Sequence, residues 1–284
     1  MHTNASSDGQ HFPKEIFEMA RQKGLRAIAF ADHNSVDNVE EGFLLAAEFG
    51  LEFFSCIELN TLQQGLDLHL LAYFIDPLSP ELQIWLGEIR KKKIEQAKKR
   101  LEKLNELGFF FTEDDLQKCS DGRIPTGVSF LKAILNREEN QNDPRLGPYI
   151  NGDRSNSPYV NFYRDYLRGG KPAFVPMEDV STIVAIQKIK RLGGIPVLAH
   201  PSDTGEGNIV HLVEKGLEGL EVYSPYHNLK EQEAFRIFAE FHGFVITAGS
   251  DFHGKKIKPD VDLGQVYGDH SNLVIKLKRE RRGK

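Results

Sequence analysis

Apolar positions recur at helical spacing from Pro13 to Gly24 (PKEIFEMARQKG), with proline suited to a first helical turn and glycine to a stop. The run passes directly into the short apolar segment Arg26 to Ala31, so the pattern predicts a helix followed by a strand. The alternation continues as a helix over 36–50 and apolar strand segments over 51–59 and 66–74. After a long interruption it resumes with a helix over 179–193, strands over 195–200 and 217–224, a helix over 231–243 and a strand over 244–253. This is the βα rhythm of a parallel sheet or barrel.

Between residues 79 and 170 the rhythm changes. The segment opens on the charged helical run PELQIWLGEIRKKKIEQAKKRLEKLNELG, which stops at Gly108, and it is expected to be a separate helical insertion. Its basic positions, Arg90 to Lys93 and Lys98 to Arg100, read as a solvated helix face. The basic tail from Lys276 to Lys284 reads as a frayed terminus. The predicted organisation is therefore one α/β domain formed by 1–78 and 171–284, with a helical insertion domain at 79–170.

The chain has 284 residues, enough to bury a substantial core. A formal net charge of −5 excludes a general electrostatic attraction to nucleic acid, so any phosphate affinity has to be local. The two cysteines, Cys56 and Cys119, are far apart and lack CxxC spacing, which removes a disulfide framework and a thiolate zinc site and predicts two small buried residues. The first residues lack a basic-then-apolar leader pattern, and no stretch approaches ~20 apolar residues. A cytoplasmic protein with no membrane contact and no obligate protein partner is the expectation.

The chemistry concentrates where the predicted strands end. Asp32 and His33 close one apolar run, Glu58 closes the next, His69 lies in the third, His200 closes IPVLAH, and Asp251 with His253 closes FVITAGSD. His2 and Asp8 add a pair near the start. In βα architectures, functional side chains gather at the carboxyl ends of strands, where the loops open onto one face. Imidazoles mixed with carboxylates, without thiolate, suit divalent ions such as zinc, manganese or iron. Apolar runs of this kind do not tolerate charge at their ends without a partner or a metal.

Taken in order, these elements resemble the polymerase and histidinol phosphatase (PHP) family of amidohydrolase-like enzymes. His2-Thr3 with Ser7-Asp8-Gly9 is similar to the family's opening HxH and SDG elements, Ala31-Asp32-His33 to its TDH, and Glu58 to its strand-end glutamate. His69-Leu-Leu-Ala-Tyr73 resembles HLLGY, Ala199-His200-Pro201 resembles AHP, and Gly249-Ser-Asp-Phe-His253 resembles GSDFH. The branch acting on nucleoside 3′,5′-bisphosphates and short oligonucleotides carries an insertion between HLLGY and AHP. Gly122-Arg123 and Gly170-Lys171-Pro172-Ala173 resemble that branch's GRPH and GKPA segments, although Ile124-Pro125 departs from the first.

The resemblance implies a distorted (β/α)7-type PHP barrel with an inserted helical domain. It implies that His2, Glu58 and Asp251 hold one metal, that Glu58 bridges to a second held by His69 and His200, and that Asp8, His33 and His253 form a third site. Two or three Mn, Zn or Fe ions would serve a water-driven hydrolysis. Asp32 is better suited to orienting its neighbours than to ligation. Arg123 and Lys171 would hold substrate phosphate, and His227 would touch phosphate or protonate a leaving oxygen. The family's first element has two histidines one residue apart, and Met1 stands between those positions. That implies either a start upstream of Met1 or a first metal short of one ligand, with the barrel's first strand missing or truncated.

The activity so implied is hydrolysis of a small phosphorylated substrate or short oligonucleotide, with Asp251, His200 and His227 as catalytic residues. A histidinol-phosphate-type phosphatase and a catalytically impaired metal- or phosphate-binding module are the alternatives.

Overall fold

A computed structural model describes residues 1–177, 180–266, 268 and 270–282. The elements run α1 (Pro13–Gln22), β1 (Ala27–Ala29), α2 (Val39–Phe49), β2 (Glu52–Phe54), β3 (Cys56–Gln63), β4 (Leu66–Tyr73) and α3 (Pro80–Glu106). Four short helices follow, α4 (Glu113–Cys119), α5 (Gly127–Leu135), α6 (Gly147–Ile150) and α7 (Pro158–Phe162), the last running into a π-helical turn at Tyr163–Leu167. The alternation then resumes with α8 (Thr182–Arg191), β5 (Ile195–Leu198), α9 (Glu206–Glu214), β6 (Gly219–Tyr223), α10 (Leu229–Phe241), β7 (Val245–Ala248) and α11 (Ser271–Arg282).

Local chemistry explains the main boundaries. Glu15 reaches back to the Phe12 N–H (2.8 Å) at the start of α1, which buries Ile16, Phe17 and Ala20. The long α3 begins with the Ser79 hydroxyl accepting from the Leu82 N–H and ends before Gly108, whose φ of 90° suits glycine. Asn228 caps α10 by accepting from the N–H groups of Lys230 and Glu231.

Strands β1 and β2 pair in parallel, and β3-β4-β5-β6-β7 form a second sheet. Within it β5, β6 and β7 run parallel, whereas β3/β4 and β4/β5 are antiparallel. This corrects the purely parallel expectation. Segment 51–59 is not one strand but two in different sheets, divided at Ser55. A two-residue turn, Gln64-Gly65, folds β3 onto β4 with both residues at positive φ (50° and 81°), the geometry whose twist matches an antiparallel hairpin. The two sheets meet where His33 pairs with Glu58 in an isolated parallel bridge.

Among the described residues no strand precedes β1. The Ala31 N–H donates to the Met1 carbonyl (2.8 Å) and the His2 N–H to the Phe252 carbonyl (2.8 Å), so the first two residues link the end of β1 to the segment after β7. The tail, expected to fray, is helical through Arg282, with Leu277 buried and Lys278 paired with Glu52. Cys56 is buried as expected, and Cys119 is only partly so.

The main core includes Phe17, Phe30, Ile57, Leu59, Leu70, Leu198 and Leu220, and the first half of α3 adds Leu82, Trp85, Leu86 and Ile89 to it. A second core gathers Leu104, Phe109, Phe130, Leu131, Ile134, Phe162 and Leu167. The long helix is therefore shared between two apolar clusters, and its middle spans the space between them.

Candidate metal centre

The residues that end the strands converge. His2 Nε2 lies 3.0 Å from both Glu58 Oε2 and Asp251 Oδ1, His69 Nδ1 is 2.5 Å from Glu58 Oε1, and His200 Nε2 is 3.4 Å from the same oxygen. Asp8 Oδ2 stands 3.7 Å from His33 Nε2 and 3.9 Å from His253 Nε2. The rings of His2 and His253 stack at 3.8 Å, and His69 and His200 meet edge to face at 5.0 Å. The ligand-type atoms of His2, Asp8, His33 and His253, of His33, Glu58 and His69, and of His2, Glu58 and Asp251 each fall within 4.8 Å of one another.

Backbone geometry sets these positions. His200 and Asp251 follow β5 and β7 at positive φ (28° and 52°), and Asn34, just after His33, is at 54°. Such conformations cost about 1–3 kcal/mol each and persist where the surroundings fix them, commonly at functional sites. The Asp32 carboxylate accepts from the Thr3 N–H (2.7 Å), the Thr3 hydroxyl (2.7 Å) and the Ser6 hydroxyl (3.1 Å). It holds the loop bearing His2 and Asp8 rather than facing the cluster. His253 Nδ1 donates to the Asp251 carbonyl (2.8 Å), which leaves Nε2 as its free ligand nitrogen.

The charges are tightly coupled. Burial opposes the positive form of His2, but the Asp251 and Glu58 carboxylates overcome it and raise its pKa to about 9. Burial likewise opposes charge on His200, and Glu58 lifts it to about 9. Burial holds His33 and His253 well below the usual histidine value. Burial works against ionised Glu58 and Asp251, yet His69 and His33 around the first and Lys258 and His253 around the second hold both well below the usual carboxylate range.

These residues fit divalent cations. Nδ1 of His2 and His33 and Oδ1 of Asp8 are buried without a hydrogen-bond partner, and the donor set is imidazole and carboxylate.

The other expected residues are placed less uniformly. Arg123 lines a cavity of about 370 Å³ that opens beside Asp8, His33, His69 and His253, and its Nη1 is paired with Asp121 (2.7 Å). The Ser7 hydroxyl donates to the Ile124 carbonyl (2.7 Å), tying the Arg123 loop to the Asp8 loop. Lys171 is exposed and does not line this cavity. His227 is buried at 1% exposure, with Nδ1 donating to the Val222 carbonyl (2.8 Å) and its ring against Phe235, and it does not line the cavity either. The apolar β6 and α10 flanks enclose it.

Sequence reasoning missed Lys258, Tyr226 and Glu221. The Lys258 ammonium pairs with Asp251 Oδ2, and the Tyr226 hydroxyl donates to that same oxygen (2.8 Å). Buried Glu221 accepts from the His200 N–H (3.0 Å), and burial raises its pKa to about 7. Lys258 and Tyr226 lie in loops with no pattern to mark them. Glu221 sits inside an apolar strand, where a lone carboxylate was the available signal.

Residues 1–114 match the PHP domain family. At 27% identity it is similar over 255 residues, 87% of its length and 84% of the relative's, to a 3′,5′-nucleoside bisphosphate phosphatase of Chromobacterium violaceum. It is 26% identical over 255 residues, 88% of its length and 91% of the relative's, to a phosphoribosyl 1,2-cyclic phosphate 1,2-diphosphodiesterase of Eggerthella lenta. The structure of an amidohydrolase from Chromobacterium violaceum, solved with bound sulfate and no metal, superposes with a TM-score of 0.79 at 25% identity, covering 99% of this chain and 94% of that one. The PHP match spans His2 through His69, whereas His200, Asp251 and His253 lie beyond it.

Proposed function

We propose that this protein is a PHP-type, metal-dependent phosphoesterase that hydrolyses nucleotide phosphate esters, either 3′,5′-bisphosphates or short oligonucleotides. The observation that carries the reading is the convergence of His2, Asp8, His33, Glu58, His69, His200, Asp251 and His253, with Asp8, His33, His69 and His253 lining one cavity and Glu58, His200 and Asp251 a second. The relatives that act on phosphate esters support the reaction class. The same reading takes the two sheets as a distorted seven-stranded (β/α) barrel, with 79–170 as its inserted helical domain.

His2, Glu58 and Asp251 would hold one ion, Glu58 with His69 and His200 a second, and Asp8, His33 and His253 a third. Bound Mn, Zn or Fe ions would supply charge against phosphate oxygens and make water acidic enough to attack at neutral pH. Lys258 and Tyr226 orient Asp251, Asp32 holds the N-terminal loop, and Arg123 offers a guanidinium to phosphate at the cavity wall. Arg90, Lys93, Arg100 and Arg123 also line this cavity and disfavour a substrate that itself carries cations, such as histidinol phosphate. Phosphate release from a nucleoside 3′,5′-bisphosphate with Mn²⁺, compared with histidinol phosphate, tests the reading. Faster release from histidinol phosphate would overturn the nucleotide assignment.

A further inference from the structure

Asn60 and His69 stand directly opposite each other in the antiparallel pair β3/β4. Their backbones turn outward, the Asn60 N–H to the Asn34 side chain and the His69 carbonyl to the Ala199 N–H (3.0 Å). This is the close kind of cross-strand pair, and it brings the two side chains together. Asn34, Asn60 and His69 all line the cavity beside Asp8 and His33.

The hydrogen bonds among these three residues have only one consistent direction. A backbone N–H can only donate, so the Asn34 atom 3.1 Å from the Asn60 nitrogen is Oδ1. Asn34 Nδ2 then points at the Asn60 side chain, and the Asn60 atom that accepts from it at 2.7 Å is Oδ1. That leaves Asn60 Nδ2, a donor, 2.9 Å from His69 Nε2, which therefore accepts. A neutral imidazole carries one N–H, so the His69 proton sits on Nδ1, where it donates to Glu58 Oε1 (2.5 Å). Histidines that hold a metal ordinarily do the reverse: the ligand nitrogen is bare, and the other ring nitrogen donates outward to an acceptor. His69 meets a donor there instead.

We infer that the Asn34–Asn60 pair locks His69 in the tautomer that cannot ligate through Nδ1, and so governs whether an ion binds between Glu58, His69 and His200. Asn60 is thus a positioning residue that works against this ion. Opening the seat requires the Asn60 amide to turn its oxygen toward His69. The proton leaves Nδ1 and one is taken up at Nε2, where Asn60 Oδ1 accepts it, with no net proton released. That turn breaks the bond from Asn34 Nδ2 and sets two amide NH₂ groups against each other, which opposes filling the seat. The inference rests on reading Glu58, His69 and His200 as an ion seat.

The first test reads the tautomer directly in the metal-free full chain. Long-range proton–nitrogen NMR of the imidazoles at pH 7.5, with His69 assigned by its loss in His69→Gln, should show the proton on Nδ1 alone. A proton on Nε2 in wild type overturns the inference. The second test uses two variants. Asn34→Asp suits the same backbone conformation (φ 54°), keeps an acceptor for the Asn60 N–H and offers its other oxygen to Asn60 Nδ2, which turns Asn60 Oδ1 to His69. Asn60→Ala removes the facing donor without adding charge. In titration calorimetry both are expected to bind one Mn²⁺ about tenfold more tightly than wild type, and the gain should vanish when either is combined with His69→Gln. Affinity within about twofold of wild type in both variants, or a gain that persists without His69, overturns the inference. No Mn²⁺ bound by any of the proteins overturns the metal-centre reading and the gating with it, whereas the NMR measurement separately decides the lock.

Discussion

His33 and Glu58 sit side by side because their backbones pair across the seam between the two sheets. The Glu58 N–H donates to the Asp32 carbonyl (3.2 Å) and the Asn34 N–H to the Glu58 carbonyl (2.9 Å), so two candidate ligands are set by main-chain geometry before any ion binds. A centre fixed in this way needs little reorganisation to accept metal.

The Asp32 side chain should matter through the loop it anchors. Asp32→Ala removes the acceptor for Thr3 and Ser6 and frees the segment bearing His2 and Asp8. The expected result is Mn²⁺ affinity reduced by about 10–100-fold in titration calorimetry, with secondary structure retained by circular dichroism. Wild-type affinity would count against an orienting role.

Lys258 balances the Asp251 carboxylate, whose other neighbours are the His2 and His253 imidazoles and the Tyr226 hydroxyl. Its ammonium is 16% exposed and Asp251 9%. Lys258→Met should destabilise the metal-free protein by about 3 kcal/mol, because it leaves a buried charge without its partner. Saturating Mn²⁺ should recover part of that loss, since the ion supplies positive charge at the same residue. Denaturant unfolding with and without metal measures both effects, and an unchanged midpoint in EDTA would refute the balance.

The pH dependence of the metal-free protein has a definite sign on each side. His2 and His200 titrate at about 9 in the fold against 6.5 as free side chains, so their contribution is full below 6.5 and is lost as pH rises through 9. His33 and His253 are held neutral, so the unfolded chain gains protons they resist, and stability falls as pH drops below 6.5. Melting temperature in EDTA should therefore peak near pH 6.5 and decline toward pH 9. A steady rise from pH 6.5 to 9 would show that the carboxylates around His2 and His200 do not hold these protons.

The same two protons must leave when metal binds. At pH 7.5, Mn²⁺ binding should release about two protons, read from the dependence of calorimetric heat on buffer ionisation. Release near zero would mean that His2 and His200 are not ligands.

Much of this architecture is legible in the sequence because helix signals are local. Pro13, Ser79, Gly108 and Asn228 mark helix ends by steric or hydrogen-bonding rules that need no tertiary context. The strand-end ligands are visible for a similar reason, since charge at the end of an apolar run demands a partner. The antiparallel course of β3 and β4 was not read, although Gln64-Gly65 offered a hairpin signal. Arg100 resembles any charged helix residue until α3 is packed between two cores, and Lys258 reaches Asp251 through a loop whose path depends on the whole fold. His227 shows the opposite error, a loop histidine after a strand that the fold closes over.

The most direct test of the central claim is phosphate release from a nucleoside 3′,5′-bisphosphate by metal-stripped protein, before and after adding Mn²⁺, for wild type and Asp251→Asn. Turnover that requires Mn²⁺ in wild type and falls by about 10³-fold or more in the variant, with its fold intact, is the predicted result. Release that survives metal removal, or an Asp251→Asn protein as active as wild type, would contradict it.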